Sequence, residues 1–527
     1  MFASEIDANE LHQWIEIHDL LADSLALSEQ LESAINLYKQ ILERVENKLL
    51  RAELYAKLSE YNLFLFRYKE SLDASVNGTK LINFNFVNSV PLAILSAFYW
   101  IPMLLFTIAI HSTGFLTKKN LNTRGDEIRF RILKTLQMSS YYISPICTTI
   151  NQFKVSILLI GYSDNYYRAH MIVNWGILAS TLGFEKLSLT FLSKGVEYFE
   201  RVSNPPAIGY IAYINGYLND FSLGNLDKSK IELRQAVEIL SGVGESFWRS
   251  NALMAQIQID SFGLGSGDSA ECSLRLIALW KRVKFEPTFL GCVMKNLLLE
   301  GNDAEVDKWM KITIDAGKKI KEQGFNTLDT CYANLAPGEI YLMRDQNEKA
   351  LPLLKEAFLI HLLQFHRTVY CNYSPIPLAL AYVRLHKPLY AILPLIVAWN
   401  NILMNVKIYK PLTLFATGEF FAELKLTRLA YLCFESGINI ARKNNWLPTL
   451  AEGNFCLGKL LMSTHSEYAE SLIDNARFYY QERGQVFLEN KCDEIFKSNR
   501  QRRTLNKNVS THNTTSEVNR RFPKIVI

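Results

Sequence analysis

The chain has 527 residues, 49% of them hydrophobic and 21% charged, an ordinary globular balance at a length beyond what one core usually serves, so several domains or one elongated array is expected. The formal net charge of +5 is local: Arg500, Arg502, Arg503, Lys507, Arg520, Arg521 and Lys524 face a single acid, Glu517, at the C-terminal end. That leaves a nearly neutral body and sets aside a broad nucleic-acid-binding surface.

In chain order, Met1-Phe2-Ala3-Ser4-Glu5 lacks the basic residue and apolar stretch of a secretory signal, so cytoplasmic residence is expected. A six-position pattern follows around Ala34, with Leu21, Ala22 and Leu25 before it and Tyr38 and Ile41 after it. The same offsets around Ala350 give Pro337, Gly338, Tyr341, Leu354 and Ala357; around Ala391 they give Leu378, Ala379, Tyr382, Leu395 and Ala398; around Ala430 they give Thr417, Gly418, Phe421, Phe434 and Gly437. The full series of key positions is Ala34, Ser71, Ser188, Ser229, Ala270, Val306, Ala350, Ala391, Ala430 and Ala469. Neighbours lie about 40 residues apart except across the gap from Ser71 to Ser188, and recurrence of this kind marks a solenoid. Small residues are required where antiparallel helices cross closely, and bulky ones fill the space one and two turns away. Some copies are imperfect: Asn62 and Asp220 replace bulky residues, Val306 is not small, and Gly458 is one residue out of step.

Val90–Ile110 carries no charge over its whole length, enough to cross a bilayer. Lys118, Lys119 and Arg124 follow it, the flank expected on the cytoplasmic side. Pro91 and Pro102 interrupt the run, and Pro102 would break a hydrogen-bond ladder. Two short buried or interfacial helices, the second starting at Pro102, are therefore preferred to a span. The later apolar run Leu389–Val406 contains the repeat positions Ala391, Leu395 and Ala398 and is expected to be core. The predicted organisation is repeats over 1–85, an apolar irregular helical segment over 86–160 (buried or membrane-associated), a solenoid over 161–497 and a basic, disordered tail over 498–527.

Chemistry-bearing motifs are sparse. The chain has no G-x-x-x-x-G-K-[ST] loop, no H-E-x-x-H and no G-x-S-x-G. Gly263-Leu264-Gly265-Ser266-Gly267-Asp268 reads as a turn before the Ala270 helix, with Asp268 or Ser269 as N-cap. His361 and His366 are five apart and His12 and His18 six apart, not the spacing of two ligands on one helix face. Asp303, Glu305 and Asp307, and Asp126-Glu127, suit helix starts. Eight cysteines, at 147, 272, 292, 331, 371, 433, 456 and 492, form no Cys-x-x-Cys pair, and buried single thiols in a reducing compartment are expected. Tyr141-Tyr142, Tyr166-Tyr167, Tyr479-Tyr480 and Phe420-Phe421 are open to a groove-lining or a packing role, whereas Tyr341, Tyr382 and Phe421 sit at repeat core positions. No catalytic, cofactor or metal residue is nominated, and the binding surface is left unassigned.

The repeat positions resemble the tetratricopeptide repeat (TPR), which implies an all-α TPR-like solenoid of about ten stacked antiparallel helix pairs. The runs at 174–202, 216–240 and 453–484 also resemble the helical-repeat region of bacterial signalling proteins that carry an AAA-type ATPase module and often an adenylyl or guanylyl cyclase domain. Neither a Walker loop nor a cyclase metal-binding segment is present, so those activities do not transfer. The resemblance implies a non-catalytic regulator binding a protein or peptide, an ATPase or cyclase subunit among the candidates, on a concave surface, without cofactor. The alternatives are a small-molecule-sensing region and a membrane-associated adaptor using residues 90–110.

Overall fold

The computed structural model describes residues 8–112, 123–160, 162, 165–181, 184–202, 205–243, 245–261, 268–283, 290–322, 328–363, 369–404 and 406–510. Two helix pairs open the chain, α1 (Ala8–Leu27) with α2 (Leu31–Arg44) and α3 (Lys48–Phe64) with α4 (Tyr68–Leu81). Three helices follow, α5 (Val90–Ser112), α6 (Arg124–Ile143) and α7 (Pro145–Ile160). Pairing resumes with α8 (Asn165–Thr181) and α9 (Glu185–Glu200). Next come α10 (Pro205–Ile214), continued by a π-helical stretch Asn215–Phe221, and α11 (Leu226–Gly242). Then come α12 (Ser246–Ile259) and α13 (Asp268–Val283), α14 (Gly291–Leu299) and α15 (Asp303–Glu322), and α16 (Leu328–Met343) and α17 (Asn347–Leu363). The last pairs are α18 (Pro375–Arg384) with α19 (Pro388–Leu403), α20 (Lys410–Glu423) with α21 (Thr427–Lys443), and α22 (Leu447–Leu461) with α23 (Ser466–Glu482), before α24 (Val486–Ser510). The array is an all-α solenoid of stacked antiparallel pairs with TPR-like crossings.

All ten key residues lie on the second helix of a pair, and nine are its fourth residue. Ala34, Ser71, Ser229, Val306, Ala350, Ala391, Ala430 and Ala469 are fully buried there. Ala270 is the exception, third in α13 and half-buried. Facing most crossings is a small residue on the first helix, as at Gly176, Gly216, Gly338, Gly418 and Gly458. A Cβ on Gly418 would lie 2.9 Å from the Phe434 ring, and one on Gly458 would meet Ile473 Cγ1 at 2.6 Å and the Ala469 carbonyl at 3.0 Å. Where serine occupies the crossing, its hydroxyl donates to the facing backbone: Ser188 Oγ to Gly176 O at 2.8 Å and Ser229 Oγ to Gly216 O at 2.6 Å. These serines keep the helices close and satisfy their own polarity.

The turn inside most pairs is also repeated. Glu29, Phe66, Gly224, Gly301, Asp345, His386 and Lys425 all have positive φ just after the first helix. The next amide donates back across the turn, as in Gln346 N to Tyr341 O at 2.8 Å and Lys387 N to Tyr382 O at 2.9 Å. This is the Schellman closure of a helix C-terminus.

The segment 86–160 is more regular than expected. α6 and α7 continue the stack, joined at Ser144 and Pro145, with Ser140 and Thr148 hydroxyls 2.9 Å apart across the crossing. That turn is too short to keep the repeat offsets, which accounts for the gap between Ser71 and Ser188. α5 corrects the expected break: Pro102 lies inside one continuous helix. The helix is also not buried. Ala93, Ala97 and Trp100 pack along Cys147, Ile150 and Phe153 of α7, while Leu95 and Phe98 are 68% and 80% exposed.

Two more expectations change. In α19 Ala391, Leu395 and Ala398 are core, but Leu389, Tyr390, Ile392, Leu393 and Ile396 face outward, because a helix on the outside of the stack has one buried face however apolar its sequence. The tail is helical as far as Ser510, where α24 ends. Asn499 Nδ2 holds that extension to Glu470 at 2.9 Å. Residues 511–527 lie outside the described part.

Gly458→Ala is expected to lower the apparent melting temperature. Steric conflict of about 1–3 kcal/mol outweighs the gain of about 1 kcal/mol in helix propensity. Thermal unfolding followed by circular dichroism checks this.

Candidate functional site

The superhelix winds tightly enough for distant repeats to touch. Glu29, in the α1–α2 turn, accepts from Arg249 Nη2 at 3.0 Å and also pairs with Arg282. A chain of rings fills the interior at this level. Phe66 packs on Phe247 at 4.8 Å, Tyr68 on Tyr142 at 4.1 Å, and Trp248 on Tyr210 at 4.3 Å. Rings therefore fill much of the interior here, and two of the cavities beside them differ in chemistry.

The larger cavity, about 250 Å³, is charged and lies in the C-terminal half. Its wall is built from the first helices of successive pairs, with Lys295 on α14, Glu339 on α16, Arg384 on α18 and Glu452 on α22, closed by Lys491 on α24. Lys295 Nζ donates to Glu339 Oε1 at 2.7 Å, and Tyr373 OH reaches the same oxygen at 3.1 Å. Arg384 grips Glu419 with two bonds, Nε to Oε2 at 3.1 Å and Nη2 to Oε1 at 2.9 Å. Burial alone would raise the Glu419 carboxyl, but the Arg384 charge and hydrogen bonds hold it below its ordinary value. Lys491 Nζ meets Asp345 Oδ2 at 2.6 Å.

Glu452 makes no ion pair. Its carboxyl is pushed up by the surrounding protein and by the Glu339 and Glu419 charges, against the pull of Lys295 and Arg384. It is exposed into the cavity. The arrangement is a lining in which, among the described residues, Lys295, Glu339, Arg384 and Lys491 are held in ion pairs while Glu452, Glu300 and Arg483 are not. It lacks the constellation of nucleophile, base and orienting group that covalent catalysis uses.

The residues weighed in the sequence fall mostly into structural roles. Asp303 and Asp307 both bind Arg344 of α16, each at 2.5 Å. His18 Nδ1 contacts Trp14 O at 2.8 Å, its ring stacked on Trp14, and His12 lies 3.9 Å from Glu16. His361 is buried, with Nε2 at 3.4 Å from Asn401 Nδ2, and His366 lies outside the described residues. At Asp126 the acid follows a Thr123 N-cap, whose hydroxyl accepts from Asp126 N at 3.1 Å. At the start of α13, Asp260 Oδ2 accepts from Ser269 N at 3.1 Å, and the Asp268 side chain lies outside the described residues. Gly263–Gly267 is outside the described residues.

Tyr382 is core, Tyr341 and Phe421 are half-buried, Tyr480 lines the charged cavity, and Tyr141 and Tyr142 line the second one. Among the described residues no three His, Cys, Asp or Glu side chains converge as a metal-holding group. One pair was invisible to spacing rules: Cys371 Sγ lies 3.4 Å from Cys331 Sγ. Their hydrogen bond and burial push the Cys331 thiol well up, so it is held as a protonated core thiol. Signals for the charged wall did exist: Glu339, Arg384 and Glu419 recur one repeat apart on first helices.

Comparison with known proteins is sparse. No family model matches the chain, and no curated protein matches it in sequence. Among solved structures, the yeast protein Tom70 aligns with 88% of this chain and 99% of its own, at 12% identity and a TM-score of 0.30. A signal-transduction ATPase with numerous domains and a tetratricopeptide repeat sensor, from Pyrococcus horikoshii, aligns with 88% of this chain and 67% of its own, at 13% identity and a TM-score of 0.26. The repeat is established by the crossings described above.

Glu245 gives a pH test of the closed interior. Its carboxylate caps α12, accepting from Trp248 N at 2.7 Å, and burial raises its pKa to about 7. The folded state thus holds a proton that the unfolded state has released. Stability from this group is present below the unfolded value and is lost as pH rises through about 7. Glu245→Gln is expected to flatten the fall in stability between about pH 5 and pH 8, and to be more stable than the parent at the upper end. Denaturant melts at both pH values measure it.

Proposed function

We propose that the chain is a non-catalytic interaction module that receives an extended protein segment in the charged cavity, with a lysine or arginine side chain of the partner against Glu452. The observation that carries this reading is the wall itself. Lys295, Arg384 and Lys491 are each committed to another carboxylate, and Glu452, set beside Glu339 and Glu419, is left without a counter-ion inside a cavity of side-chain dimensions. A solenoid suits the task because its first helices present successive side chains along one line. An ATPase or cyclase subunit as the partner rests on the sequence resemblance alone. Fluorescence anisotropy with a peptide library fixed at lysine or arginine is expected to yield binders weakened about tenfold by Glu452→Gln, the scale of one charge-assisted contact. Equal affinity in Glu452→Gln and Arg384→Ala sinks the assignment.

A second reading is favoured by α5. Over residues 90–106 its exposed large side chains are apolar, Leu95, Phe98, Leu105 and Phe106 among them. Its 23 residues span about 35 Å, enough to match the hydrocarbon thickness of a bilayer. Because Ala93, Ala97 and Trp100 keep it against α7, the geometry favours a helix lying in the membrane plane and anchoring the solenoid. The protein should float with lipid vesicles, and Leu95→Asp with Phe98→Asp should leave it at the bottom of the gradient. Flotation unaffected by the double variant removes α5 from the membrane contact.

A further inference from the structure

The second cavity, about 130 Å³, has no charged side chain in its wall among the described residues. It lies beside the ring chain, where α6, α7, α8, α10 and α12 meet α16 and the segments preceding α18 and α20. Aromatic side chains dominate the wall, Tyr142, Tyr210, Tyr213 and Trp248 among them. Burial pushes the phenols of Tyr142, Tyr210 and Tyr213 far up, so they stay neutral at any physiological pH. Part of the wall is the π-helical stretch that carries Tyr217, Leu218 and Asn219. Such stretches are rare and concentrate at functional sites.

Two glutamines in this wall are not satisfied by the protein. Gln137 is 4% exposed and Gln152 is fully buried. Gln137 Oε1 accepts from Asn174 Nδ2 at 2.9 Å and Gln152 Nε2 donates to Met171 O at 3.0 Å. Those bonds fix both amide planes and leave Gln137 Nε2, a donor, and Gln152 Oε1, an acceptor, without partners. An unmade hydrogen bond at a buried amide is costly, and buried groups of this kind are normally paired. Here one donor and one acceptor are left open on the same small aromatic cavity.

We propose that this cavity binds a neutral, single-ring heteroaromatic molecule that presents both a hydrogen-bond acceptor, to Gln137, and a donor, to Gln152. The size fits, since an apolar cavity of about 150 Å³ holds one benzene ring. The aromatic wall provides stacking surfaces. The absence of any charged side chain selects against carboxylates and phosphates, which would enter without a counter-ion. This site is independent of the charged cavity, so its failure leaves the peptide reading untouched.

The test uses the full chain and four probes: nicotinamide and uracil, which are neutral rings with donor and acceptor; nicotinate, the charged counterpart of the first; and toluene, a ring without polar groups. Nicotinamide or uracil is expected to raise the melting temperature saturably, with nicotinate and toluene inert. Gln137→Met and Gln152→Met keep side-chain length and remove the amide. Each is expected to weaken calorimetric binding about tenfold, the loss of one hydrogen bond. No shift with either neutral ring, an equal shift with toluene or nicotinate, or unchanged affinity in both variants overturns the proposal. Should a methionine variant fail to fold, the discrimination of nicotinamide from nicotinate by the parent chain decides the matter alone.

Discussion

The structure depends on how closely two helices of a pair can approach at one point, the fourth residue of the second helix. Gly338 and Gly418, twelve residues before Ala350 and Ala430, leave no room for a methyl, which would collide with Leu354 or Phe434. The next buried position along, Leu354 or Phe434, occupies the volume thereby left free. Serine does the same work by a different route: the Ser71 hydroxyl donates to Ser59 O at 2.7 Å, so a polar atom sits in the crossing without an unmet bond. Close packing at each crossing fixes the angle of the pair, and the sum of those angles sets the winding of the solenoid.

That winding explains why the concave face is not an open trough. Repeats far apart in sequence come into contact, and aromatic side chains from α3, α4, α6, α10 and α12 fill the axis. Rings suit this position because each covers a large area and packs edge or face with few rotamers to lose. The fill is polarised. Toward the C-terminal half, charged residues replace the rings, and Lys295 holds Glu339 and Arg384 holds Glu419 across repeats. One interior thus acquires a neutral compartment and a charged one.

The fold was legible in the sequence because a crossing constrains residues separated by fixed intervals within one repeat. Ala34, Ala391 and Ala469 announce their own surroundings. Val306 was judged a poor match, yet it is fully buried as the fourth residue of α15, since burial of that position matters more than its size. The sites were far less legible. Gln137 and Gln152 stand on different helices and ordinary residues surround them in the sequence; only the three-dimensional count of hydrogen bonds reveals them. The Cys331–Cys371 contact is hidden for the same reason. The apolar run at Val90–Ile110 was visible, but composition does not state which face has neighbours. Pro102 is accommodated because α5 meets the body along one narrow stripe, leaving its ladder free to adjust on the open side.

The two compartments are joined by a shared element. Tyr332 lines the neutral cavity and Glu339 the charged one, and both stand on α16, seven residues apart on one face. The segment before α18 repeats the arrangement over a shorter distance, with Asn372 on the neutral side and Tyr373 bonded to Glu339 on the other. A buried helix transmits displacement as a body, because its core contacts on every side resist bending. Whatever repositions Tyr332 therefore also repositions Glu339, its Lys295 partner and the space around Glu452. The π-helical stretch and α16 face each other across the neutral cavity, so the element most readily rearranged lies opposite the element that reaches the charged wall.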